Sequence, residues 1–328
     1  MNQDTAPPLP ARLIAQLRQP LVWGTFCGLA AAIGYTAANI FLRSAKDCDP
    51  IWVSCVKSVP TVLLAGPWLL FNKSRGETIL PAPRVLGSLM LAGLIGQLFG
   101  NVGFQWALGV IGMALTVPIT MGTIILAGAV MGRIFLHEPV TWRAAVSMSV
   151  LVLAICVLSL GAGAASRSVI GADTTADVSV AAWRLFAAVA AACVSGVAYA
   201  ALGVVIRHGV SGRASVATTL FAVGVVGSIA LGTLSTWRLG WNGMAATSAW
   251  HWQQMLLAGV CNFVAFLALT KALQLATVVY VNALNTSQVA MAAVAGVLIF
   301  QESPSVSMWT GVGLTVVGLI LMSSRKKK

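Results

Sequence analysis

Residues Ile51–Phe71 read IWVSCVKSVPTVLLAGPWLLF, an apolar run in which Lys57 carries the single charge. A helix needs about 20 consecutive apolar residues to cross a bilayer, and this run has that length. A lysine at the centre of such a helix costs about 2.5–3.5 kcal/mol on insertion scales, so intramembrane amines ordinarily face a wet cavity or a partner. Lys57 is therefore the first candidate for a functional side chain. It stands only about 9 Å along the helix from Ile51, at ~1.5 Å per residue, and snorkelling to the interface is the competing account.

The remainder of the chain is of the same kind. Of 328 residues, 58% are hydrophobic and 9% charged, with a mean hydropathy of +0.89. A soluble domain carries about 25% charged residues, so the composition predicts an all-α integral membrane protein. The net charge of +12 would suggest nucleic acid in a soluble chain, but basic cytoplasmic loops account for it here. No basic patch is interleaved with exposed aromatics as single-strand binding requires. No CxxC pattern occurs, which disfavours a thiol metal site. Cys27, Cys55, Cys156, Cys193 and Cys261 lie in apolar runs and read as small buried hydrophobes. The segment 1–20 is polar, proline-rich and without an h-region. A short surface helix around Leu13, Ile14 and Leu17 fits it as well as disorder does.

Hydropathy predicts ten transmembrane helices, at about 21–42, 51–72, 85–106, 111–135, 142–161, 181–206, 216–237, 253–272, 276–300 and 306–323. They divide the chain into a cytoplasmic tail (1–20), a first five-helix unit (21–161), a linker loop (162–180), a second unit (181–323) and a basic tail (324–328). Loops on the side of the two termini collect 14 Lys and Arg residues against 5 opposite, with Lys57 set aside. Positive loops stay in the cytoplasm, which predicts both termini there, in a cell or inner membrane.

The two units repeat each other. Tyr35 and Tyr199 are 164 positions apart, as are Arg43 and Arg207, Gly132 and Gly296, and Glu138 and Glu302. Ala107-Leu108 recurs as Ala272-Leu273, and Leu91-Ala92-Gly93 as Leu257-Ala258-Gly259. Five spans per copy force equivalent helices to cross in opposite directions, and equivalent loops do carry opposite charge bias. The inner connection with Arg133 and Arg143 has as its counterpart Gln301–Ser307, which holds Glu302 and no base. Inverted repeats are a hallmark of secondary transporters, with the site between the copies near mid-membrane.

Between the last two helices of each unit stand His137-Glu138-Pro139 and Gln301-Glu302-Ser303-Pro304, followed by glycine-containing helices (Thr141–Gly161 and Val306–Met322). With the duplicated five-helix plan, this pattern resembles the EamA group of the drug/metabolite transporter superfamily, over about Val22–Met322. Members commonly carry glycine before that glutamate, where this chain has His137 and Gln301. The resemblance implies a ten-helix carrier of small metabolites, often moving them outward, and needing no cofactor.

Polar residues inside the spans mark the candidate site, because lipid cannot satisfy them. Gln97, Asn101 and Gln105 form one stripe; Thr116, Thr120 and Thr123 share a face; Asn282, Asn285 and Gln288 follow one another on the ninth span. Tyr35 and Tyr199 are repeat mates. Interhelical hydrogen bonds at ~0.6 kcal/mol each are one account of such residues, and a polar translocation cavity is the other. The candidate substrate-binding set is Lys57, Tyr35, Gln97, Asn101, Tyr199, Asn282, Asn285 and Gln288. The glycines at 93, 96, 100 and 103, and the pair Gly128 and Gly132, read as close helix packing.

No acid stands at the middle of any span, so Lys57 favours an anionic cargo such as an organic anion or amino acid. Movement of a lipid-linked or polyprenyl phosphate by the same fold is the alternative, and a non-transporting scaffold another. An enzyme is not expected, since His137, His208 and His251 fall in separate places and carboxylates are scarce. Expected partners are a small-molecule substrate and membrane lipids, with a homodimer left open and no nucleic acid.

Overall fold

The computed structural model describes residues 20–76, 79–170, 178–300 and 306–323. Helices α1 (Pro20–Ser44), α2 (Pro50–Ser74), α3 (Pro83–Ile95), α4 (Gly103–Ile111), α5 (Met113–Phe135) and α6 (Trp142–Ile170) belong to the first half. The second half holds α7 (Val178–Val210), α8 (Val216–Ala245), α9 (Ala249–Leu275), α10 (Val278–Asn285), α11 (Ser287–Phe300) and α12 (Val306–Ser323). A π-helical segment, Gly96–Val102, joins α3 to α4 without a turn. No strand occurs among the described residues.

Eight stretches are long and apolar enough to cross a bilayer. Shorter apolar stretches, Trp142–Val157 in α6 and Trp309–Leu321 in α12, fall where the fifth and tenth spans are expected. Large apolar side chains cover the outside of the bundle, among them Phe26, Leu63, Phe135, Ile229 and Leu298. A surface of this kind is solvated by lipid tails rather than water.

Several boundaries differ from the hydropathy reading. Helix α6 continues to Ile170 and α7 starts at Val178, so helix enters both sides of the segment 162–180. Helix α8 runs beyond 237 to Ala245, bending at Gly240 where φ is 64°. Gly76, which follows α2, has φ 79°, and it stands 164 positions before Gly240. Both halves thus spend a glycine on the same left-handed position, which any Cβ would strain. The surface helix near Leu13, the loop holding Glu302 and the basic tail lie outside the described residues. Cys156 is exposed on the bundle surface, against the expectation of burial.

Packing obeys an exchange of halves. Helix α1 packs on α9, and its equivalent α7 packs on α3, the π segment and α4. Helix α5 packs on α7, and correspondingly α10 and α11 pack on α1. Helices α2 and α8 pack on each other, as do α6 and α12, each pair being its own image. The contact of α2 with α9 is backbone-close: a Cβ on Gly259 would stand 2.8 Å from the Lys57 carbonyl oxygen.

Charged groups tie helix ends together at the two ends of the bundle. At one, Asp49 caps α2 by accepting from the backbone N–H of Ile51 (2.9 Å) and Trp52 (3.2 Å), and its other oxygen meets Arg238 Nε at 2.8 Å. Trp52 donates from Nε1 to Thr247 at 3.0 Å and lies edge-on to Trp252. At the other end, Glu138 is 8% exposed. Its Oε1 accepts from Arg207 Nε at 3.2 Å and its Oε2 from the backbone N–H of Val278 at 2.9 Å. Arg207 also donates to the carbonyls of Leu273 (2.7 Å) and Gln274 (3.1 Å) at the end of α9. An acid at a helix start and a base at a helix end both oppose the local helix dipole. The cluster therefore joins the ends of α5, α7, α9 and α10 across the two halves.

Two expectations follow for thermal unfolding of the detergent-solubilised protein. Glu138→Ala strands a guanidinium and a helix-start N–H, and lowers stability by about 2 kcal/mol, the scale of hydrogen bonds to a charged group. An unchanged melting temperature would show that the four helix ends are held by other contacts. His137 has φ 54°, a left-handed conformation, at the position where glycine is common in the resembling family. His137→Gly relieves that strain and stabilises by about 0.5–1 kcal/mol, so a fall in melting temperature would contradict this account.

Candidate functional site

A cavity of about 960 Å³, its open mouth included, lies between the halves. All eight candidate side chains line it: Tyr35, Lys57, Gln97 and Asn101 from the first half, and Tyr199, Asn282, Asn285 and Gln288 from the second. Asn39 and Asn262 join them, with an apolar remainder that includes Leu42, Phe104, Met121, Ile124, Val223 and Phe266. Pockets of this kind, mostly apolar with a few convergent polar groups, are where small ligands bind.

Lys57 is 5% exposed and does not snorkel. Its Nζ donates to Asn101 Oδ1 at 2.6 Å. The Tyr199 hydroxyl donates to the same oxygen at 2.6 Å, and Asn101 Nδ2 donates to Gln97 Oε1. A single amide from α3–α4 thus holds an amine from α2 and a phenol from α7. Such a chain fixes the Asn101 amide, whose oxygen accepts twice and whose nitrogen donates to Gln97, while the Lys57 amine keeps further N–H groups for a ligand. The proline at 60 and the absence of a side chain at Gly259 allow α2 and α9 to close up behind Lys57, leaving its side chain directed inward.

The π segment Gly96–Val102 carries Gln97 and Asn101, both on the cavity wall, but the stripe does not run on to Gln105. Gln97 and Asn101 remain adjacent within the segment, whereas Phe104 takes the next position on the wall. Gln105 is turned away, its Nε2 3.5 Å from the Leu42 carbonyl and its Oε1 buried without a partner. The threonine face of α5 is also directed elsewhere: Thr120 donates to the Ala192 carbonyl of α7 at 3.2 Å, and Thr123 to its own helix.

Glycines make room for the polar groups. Gln97 lies over Gly227, where a Cβ would stand 2.5 Å from the amide, and the Tyr199 ring lies on Gly100, 2.7 Å from such a Cβ. The Asn282 amide occupies the space a side chain on Gly128 would fill. In sequence these glycines are indistinguishable from helix-packing residues, a description that Gly93 against Val223, Gly96 against Leu202 and Gly103 against Ser195 and the Ala191 carbonyl do answer.

The ninth span carries its polar groups around Thr286. Thr286 separates α10 from α11, and its hydroxyl and N–H both donate to the Asn282 carbonyl, at 2.8 and 3.0 Å. Asn282 and Asn285 close the first piece while Gln288 opens the second. Asn282 Nδ2 reaches the Ile124 carbonyl at 3.4 Å, and Gln288 Nε2 reaches Met121 Sδ at 3.9 Å. Thr286 keeps helical φ/ψ and its i→i−4 bond, so α10 and α11 run on as one span with polar groups on either side of Thr286.

Comparison with known proteins agrees with this architecture. No curated protein matches the chain, whereas 28 chains of solved structures do. One of them, titled "Crystal structure of protein", superposes with a TM-score of 0.66 at 15% identity, covering 92% of this chain and 96% of that one; it shares the fold. The pattern of the EamA-like transporter family matches twice, at residues 22–160 and 186–324. Both the starts and the ends of these matches are 164 residues apart, the spacing of Tyr35 from Tyr199. The chain belongs to the EamA-like transporter family.

Proposed function

We propose that this protein is a secondary transporter of ten membrane-spanning helices in two inverted repeats, with both termini in the cytoplasm, that carries small polar metabolites by alternating access. Helices α6 and α12 supply the fifth and tenth spans. The observation that carries the reading is the joint lining: each half contributes polar side chains to one cavity, and none of the eight is exposed on the outside of the bundle. Hydrogen bonds that served only as glue would be scattered along pairwise helix contacts.

In this reading Lys57 supplies the charge that recognises an anionic group. Gln97, Asn101, Asn282, Asn285 and Gln288 supply orienting hydrogen bonds, and Tyr35 and Tyr199 form walls. The Glu138–Arg207 cluster is the closed end, since it holds helix termini from both halves one residue beyond Ile206 of the cavity wall. Opening that end for exchange breaks the cluster, while the hydrogen bonds around Asn101 remain inside the bundle. Transport proceeds outward in this reading, as the family resemblance implies.

Purified protein in liposomes tests this directly. Counterflow of labelled organic acids and amino acids is expected to exceed that of empty liposomes, and Lys57→Ala is expected to lower it at least about tenfold. Loss of a buried, hydrogen-bonded charge from a binding site costs about 2–5 kcal/mol, which sets that lower bound. Absence of counterflow for every compound would make the protein a scaffold. Undiminished counterflow in Lys57→Ala would remove the lysine from the binding site.

A further inference from the structure

The carrier reading leaves open which charge state of cargo is accepted, and the cavity wall bears on it. The lining holds one lysine and no Asp, Glu, Arg or His. Among the described residues the carboxylates are Asp47, Asp49 and Glu138. Asp49 is engaged by Arg238 and a helix start, Glu138 by Arg207 and another helix start, and Asp47 is exposed in the turn after α1. The hydrogen-bond partner of the Lys57 amine is the neutral amide of Asn101. The wall therefore offers one amine, able to carry a positive charge, with no acid beside it as an internal counter-ion.

A second observation comes from the opposite half. Asn285 lines the same cavity and is 6% exposed, and its Oδ1 is buried with no hydrogen-bond partner. It is the one wall residue among the described buried polar groups left with such an oxygen. An unmet acceptor of this kind is satisfied by a donor on the bound molecule.

Resting on the carrier reading, we infer that the cargo is a small monocarboxylate bearing an uncharged hydrogen-bond donor, a hydroxy or amido acid, and that zwitterionic amino acids are discriminated against. The carboxylate meets Lys57, the hydroxyl or amide N–H meets Asn285, and the carbon skeleton lies against Leu42, Phe104 and Phe266. The discrimination is one of net charge. A monoanion leaves the loaded cavity neutral, a zwitterion leaves it at +1 and an amine raises it to +2, which follows from the single lysine of the wall. Uncompensated charge inside the hydrocarbon thickness is strongly unfavourable, so the loaded carrier crosses between its two states most readily with the monoanion.

The test uses the full-length protein in liposomes and three carbon skeletons of three, four and six atoms. Each is offered as the 2-hydroxy acid, the 2-amino acid and the 2-amino amide, giving net charges of −1, 0 and +1 on one shape. Uptake is expected to favour the hydroxy acid over the amino acid at least tenfold on the best skeleton, with the amide lowest. Asn285→Asp places an acid in the wall and is expected to reverse that ratio. Lys57→Gln neutralises the wall by the other route and is expected to collapse the ratio towards one. A ratio can be read at any expression level, and either variant suffices if the other does not fold. Preference of the wild-type protein for the amino acid, or a ratio unmoved by both variants, overturns the charge rule while leaving the carrier standing. Uptake of none of the nine compounds, with no counterflow of any labelled metabolite, removes the carrier reading itself.

Discussion

An amine within a lipid-facing bundle must be hydrogen-bonded on the spot, because nothing in hydrocarbon will do it. Lys57 meets this condition through Asn101, and much of the local backbone follows from that one bond. Asn101 must be held so that its oxygen, not its amide nitrogen, points at the amine, and Gln97 does so by accepting from Nδ2. Gln97 in turn needs depth, which Gly227 provides, and Tyr199 needs a flat floor, which Gly100 provides. Four helices are thereby fixed around one ammonium.

The π segment belongs to the same chain of causes. Leu91 and Leu257 are 166 positions apart, but Ala107 and Ala272 are 165 apart, so the first copy has one more residue between these landmarks than the second. An α-helix with one residue inserted accommodates it as a turn closing on i+5, and that turn is Gly96–Val102. The extra residue is thus tied to the one place where two consecutive amides are presented to Lys57. In the second copy, where the residue is missing, α9 is an unbroken α-helix, and Asn262, 165 positions after Gln97, is its amide on the wall.

How much of this could be read from sequence depended on the kind of signal. Side chains that lipid cannot solvate announce themselves, and for that reason the eight candidates converge on one cavity. Gln105 and the threonines at 120 and 123 carried the same polar signal and point elsewhere, because a polar side chain inside a span is satisfied as well by a neighbouring backbone carbonyl as by a cavity, and the sequence does not distinguish the two. Helix ends were harder: α6 passes into the segment 162–180, and α8 passes through Gly240, since charge and glycine near a helix end do not stop it once neighbouring helices have packed. The role of Glu138 was likewise hidden. As an acid in a short loop it looks solvated, and only the approach of Arg207 and Val278 from the other half makes it a junction.

The two copies share a backbone plan but not a chemistry, and this difference is what a carrier requires. Subtracting 164 from Asn282, Asn285 and Gln288 gives Pro118, Met121 and Ile124, and adding 164 to Lys57 gives Phe221. The paired segments touch each other crosswise, Gln288 on Met121 and Asn282 on Ile124. The first copy thus contributes the lysine together with Asn39, Gln97 and Asn101, the second contributes four amides and no charge, and along these paired segments an apolar residue of one copy meets an amide of the other. In the proposed carrier, exchange-symmetric packing is what would allow two arrangements of similar energy, one closed at each end. A fully symmetric wall would bind cargo in two opposed orientations with equal strength. In the proposed carrier, the lysine of the first half and the unmet acceptor of the second would give a bound molecule one orientation, kept while the halves rock around it.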